Sequence, residues 1–150
     1  MEWLQDRIVK SEATFKVLLG GSSWSNLSGD DDEAEIKAIP MLRNGGYDLY
    51  ELVSSPLSQD PKPDYSEAND QVIAIEEPYA ESMNFGTLTF DMTEGDPKAT
   101  LQVINVFGEN VFPEFELRAS ELTNTGKASW KKKVPAEAVA KIEARTASAL

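Results

Sequence analysis

Apolar and polar positions alternate most cleanly between residues 84 and 118. Leu88, Phe90 and Met92 are interleaved with Thr87, Thr89 and Asp91, which predicts a strand with one wet face. Glu94-Gly95-Asp96-Pro97 then reverses the chain, and residues 100–107 return apolar on both faces, as an interior strand would. Gly108-Glu109-Asn110 predicts a hairpin loop with a glycine available for positive φ. Beyond it Val111, Phe115 and Leu117 face inward, with Glu114, Glu116 and Arg118 outward. Together these form an antiparallel meander of three strands.

Upstream, residues 45–58 open on Gly45-Gly46, run through Tyr47-Asp48-Leu49-Tyr50-Glu51-Leu52-Val53, and stop before Pro56. Tyr47, Leu49 and Val53 share one face and Tyr50 and Leu52 the other, so this stretch predicts a central strand covered on both sides. Phe15-Lys16-Val17-Leu18-Leu19 and Ile36-Lys37-Ala38-Ile39 predict two short strands, ended by Gly20-Gly21 and Pro40, and Val72-Ile73-Ala74-Ile75 a brief edge strand. Leu4 and Ile8, one turn apart and flanked by Trp3 and Val9, predict a helix over Glu2–Lys10. Pro135 suits the first turn of a second helix over residues 136–149, whose apolar stripe of Val139 and Ile142 is thin. Trp24, in a polar loop, reads as an anchor tucked against the core, and residues 59–70 as a long loop rich in proline and acid.

The fold class expected is α/β (α+β) and β-rich. An antiparallel meander is added to a partly mixed sheet, with helices at the N- and C-terminal ends. A single domain over residues 1–134 carries a loosely packed C-terminal helix at 135–150.

Composition narrows function mainly by subtraction. The 150 residues carry a net charge of −12, which argues against a nucleic-acid or anionic-membrane partner. Cysteine and histidine are both absent, which removes thiolate and imidazole metal ligands and the Ser-His and Cys-His pairings of nucleophilic catalysis. No stretch is long and apolar enough to span a membrane, and Met1-Glu2-Trp3-Leu4-Gln5-Asp6 does not read as a secretory signal. The Asn26-Leu27-Ser28 sequon is therefore read as chance, and compartment stays open.

The densest carboxylate cluster is Asp30, Asp31, Asp32, Glu33 and Glu35. Such oxygen ligands suit a hard cation, calcium or another divalent ion held at low affinity, but they lack EF-hand spacing. The plainer alternative is a solvated loop of mutually repelling charges.

Several pieces follow one another in an order that resembles the C-terminal part of the PhoD-like alkaline phosphatase and phosphodiesterase family. They are Glu2-Trp3-Leu4-Gln5-Asp6, Ala13-Thr14-Phe15-Lys16-Val17, Gly21-Ser22-Ser23-Trp24, Leu27-Ser28-Gly29-Asp30, residues 47–58, and Asn84-Phe85-Gly86 leading into the meander. The similarity covers roughly residues 2–118, and its most specific pieces are residues 47–57 and Asn84-Phe85-Gly86, which look like scaffold. The resemblance implies a partial metallophosphatase-like sandwich and, in family members, a longer N-terminal half supplying most metal ligands. Those enzymes cleave phosphate esters with metal-activated water and are often exported. Where the family has Gly-Asp-Arg-His, this chain has Gly29-Asp30, with Asp31 in place of the arginine and Asp32 in place of the histidine. Under another alignment the acid run belongs to a variable loop and the histidine turn is deleted.

The resemblance thus implies a truncated or degenerate metallophosphatase domain, a phosphoric ester hydrolase by family and inactive as this chain alone. No catalytic residue is assigned, and Asp30, Asp32 and Asn84 are candidate ligands of a weak metal site. The alternative, from another class, is a binding or assembly module that pairs exposed sheet edges with a partner chain or a second copy as a homo-oligomer.

Overall fold

The computed structural model describes residues 2–21, 34–39, 48–54, 73–74, 79–123, 136–137 and 139–140. Helix α1 spans Glu2–Lys10, as its sequence predicts. Leu4 and Ile8 are half-buried, while Trp3 stays 70% exposed beneath the Arg7 guanidinium, 5.9 Å from the ring centroid. Asp6 and Lys10 pair at 2.6 Å across one turn, with the acid toward the N-terminus. No residue of the helix is fully buried.

Among the described residues six strands follow: β1 (Glu35–Ile39), β2 (Leu49–Val53), β3 (Ile73–Ala74), β4 (Asn84–Asp91), β5 (Lys98–Asn105) and β6 (Phe115–Arg118). They form two three-stranded sheets, ordered β2-β1-β3 and β4-β5-β6, and every ladder among the described residues is antiparallel. This is a β-rich α/β protein. Ala136, Glu137, Val139 and Ala140 are helical, and Val139 packs against the core.

The core unites both sheets. Ala34 and Ile36 come from the first sheet's side and Leu101, Val103, Phe115 and Leu117 from the second, with Tyr50 and Leu52 of β2 packed against them. The Tyr50 and Phe115 rings meet at 5.6 Å, tilted by 46°. Strand β5 alternates without a break: Ala99, Leu101, Val103 and Asn105 are buried and the residues between them half-buried, as a strand central to its sheet should be.

The three strands of the meander form in the expected order, but β5 begins two residues early, and Val106 and Phe107 lie in the turn at 51% and 75% exposed. Leu88, Phe90 and Met92 of the expected dry face are 37%, 41% and 54% exposed. Gly108 takes φ 79°, and the loop closes through Gly108 N–H donating to Asn105 O (3.0 Å) and Val111 N–H donating to Val103 O (2.8 Å). Strands β1 and β3 also lie where apolar runs place them, β3 at an edge.

Three further expectations need correction. Among the described residues β2 lies at the edge of its sheet, with β1 at the centre. Tyr50 and Leu52 face the core, while the other face is covered at one end only, Val53 being 8% exposed and Leu49 47%. Residues 15–19 form no strand. They have β propensity, but that measures fit to a pleated neighbour, and only Phe15 has found one, the Phe90 ring at 5.1 Å. Leu19 is left 92% exposed. Finally, no parallel pairing exists among the described residues, so a partly mixed sheet is not seen there. Trp24 and the long loop at 59–70 lie outside the described residues.

Candidate functional site

Of the three candidate ligands, Asp30 and Asp32 lie outside the described residues and Asn84 lies at the first position of β4. Asn84 is 2% exposed, and both ends of its amide are engaged. Its Oδ1 accepts from Ser54 Oγ at 3.1 Å, and its Nδ2 donates to Ser82 O at 3.1 Å. Ser82 Oγ in turn shares a 2.8 Å hydrogen bond with the Tyr79 phenol, and Tyr79 exchanges two backbone hydrogen bonds with Ala34 (2.9 and 3.0 Å). One amide thereby ties the end of β2 to the start of β4 and to the segment that meets β1.

Two residues along, Gly86 completes the joint. A Cβ at this position would stand 3.0 Å from Leu52 Cδ2 and 3.3 Å from both Leu52 Cγ and Ser54 Cβ. The sheets approach each other here because position 86 has no side chain. Leu52 and Ser54 therefore meet Gly86 and Asn84 as one complementary pair of dipeptide-spaced positions, with the hydroxyl–amide bond beside the close apolar contact.

A second buried asparagine lies beside the first: Asn105, 8% exposed, is the register partner of Asn84. Its Oδ1 accepts from the N–H groups of Phe107 and Glu109, each at 3.0 Å, and its Nδ2 donates to Glu109 Oε2 at 3.2 Å. It organises the hairpin that holds Phe107 outward, 75% exposed. Sequence reasoning passed over Asn105. The available signal was an asparagine opening a turn that contains glycine, where the side chain can bond its own backbone two residues on.

The opposite end of the meander is charged. Arg118 pairs with Glu94 and donates from Nη1 to Asp96 O at 3.2 Å, while Asp96 accepts from Ser120 N–H (3.1 Å) and Oγ (2.8 Å). The hydrogen bond to Glu94 raises the Arg118 pKa above its ordinary value. Lys98 and Glu116 pair at 2.7 Å, which raises the lysine in the same way, and the Thr93 hydroxyl and N–H donating to Asp91 lower that carboxyl. These contacts fasten the β4–β5 turn to the end of β6.

Neither end has the donor set of a metallophosphatase. Among the described residues no group of three or more histidine, cysteine, aspartate or glutamate side chains could hold a metal ion, so those residues do not fit the metal centre that the resemblance implies. Asn84 is held as a structural amide. Ser54 and Ser82 are hydroxyls in a neutral hydrogen-bonded chain, and the protein has no imidazole to activate either as a nucleophile. Replacing Asn84 by alanine should cost about 1–3 kcal/mol of stability, because it strips partners from buried polar groups. A urea unfolding midpoint unchanged by this substitution would remove the joint's structural role.

No helix among the described residues is long and apolar enough to cross a membrane. No family model matches the chain, and neither a curated protein nor a solved structure matches it.

Proposed function

We propose that this chain is the C-terminal β scaffold of a PhoD-like metallophosphatase, part of that family's sandwich, and that it does not hydrolyse phosphate esters alone. One observation carries the reading. The two sequence pieces most specific to the resemblance, residues 47–57 and Asn84-Phe85-Gly86, meet through Leu52 and Ser54 on one side and Gly86 and Asn84 on the other. Pieces that share an origin as scaffold should be joined by packing, and these two are.

The inactivity follows from the ligand chemistry. Hydrolysis by metal-activated water needs side chains that hold a cation, acidify its water and neutralise phosphoryl oxygens. The histidine of the family's Gly-Asp-Arg-His turn is replaced or deleted here, and Asp30-Asp31-Asp32-Glu33 would repel a phosphate dianion unless a cation intervened. Assays with p-nitrophenyl phosphate and bis-p-nitrophenyl phosphate, with calcium, iron or zinc added, should give rates equal to the protein-free blank. Metal-dependent turnover abolished by Asp30→Ala would overturn this reading.

A further inference from the structure

We draw no further inference here: the strongest candidate, the exposed apolar patch of Leu88, Phe90 and Met92 at the end of β4 beside the Phe15 ring, carries nothing because nothing in the structure shows what covers it.

Discussion

Phe115→Ala should lower the unfolding free energy by about 3–5 kcal/mol, a large fraction of the stability of an ordinary domain. Phe115 is 8% exposed, belongs to the core shared by the two sheets, and stands against the Tyr50 ring of the opposite sheet. Truncation loses the transfer free energy of the ring, leaves a cavity between sheets that cannot close fully, and abolishes an aromatic pair worth about 0.5–1.5 kcal/mol more. In urea the midpoint should fall with little change in slope, because the surface exposed on unfolding is nearly the same. Phe107→Ala is the matched control: that ring is 75% exposed, and its loss should change stability by less than about 0.5 kcal/mol. Equal effects of the two substitutions would contradict the burial that separates them.

Ile36→Ala should cost about 2–5 kcal/mol, and Ile36→Val only about 0.5–1.5 kcal/mol. Ile36 is fully buried on the central strand of its sheet, paired in register with Leu52, so its cavity would open beside the residue that fills the space over Gly86. For a chain of this length the alanine variant should melt roughly 5–15 °C lower. If the valine and alanine variants melt together, the packing around β1 is loose enough to refill the gap, and the shared core is not as described.

The elements legible from sequence are those whose determinants are local. Helix α1 repeats at 3.6 residues, β5 and β6 alternate at two, and Gly108 supplies the left-handed residue its loop needs. What escaped depends on neighbours far along the chain. The pattern in β2 states that two faces are apolar, not which strand lies beside it. Phe15-Lys16-Val17-Leu18-Leu19 has the composition of a strand and pairs with no strand among the described residues. Leu88 and Phe90 do lie on the core-facing side, opposite Leu101 and Ala99, but a border strand leaves them partly uncovered. In the candidate site, Asn84 was singled out for its oxygen. Its role as a bridge between Ser54 and Ser82 could be read only once residues thirty apart had met.

The two core variants should also differ in kinetics. The meander joins strands adjacent in sequence, whereas Lys37 pairs with Ala74 across a long intervening segment. Closing that larger loop is the slower entropic step, so the hairpins of the meander are favoured as the early nucleus. Phe115→Ala should then act mainly by slowing refolding, and Ile36→Ala mainly by hastening unfolding.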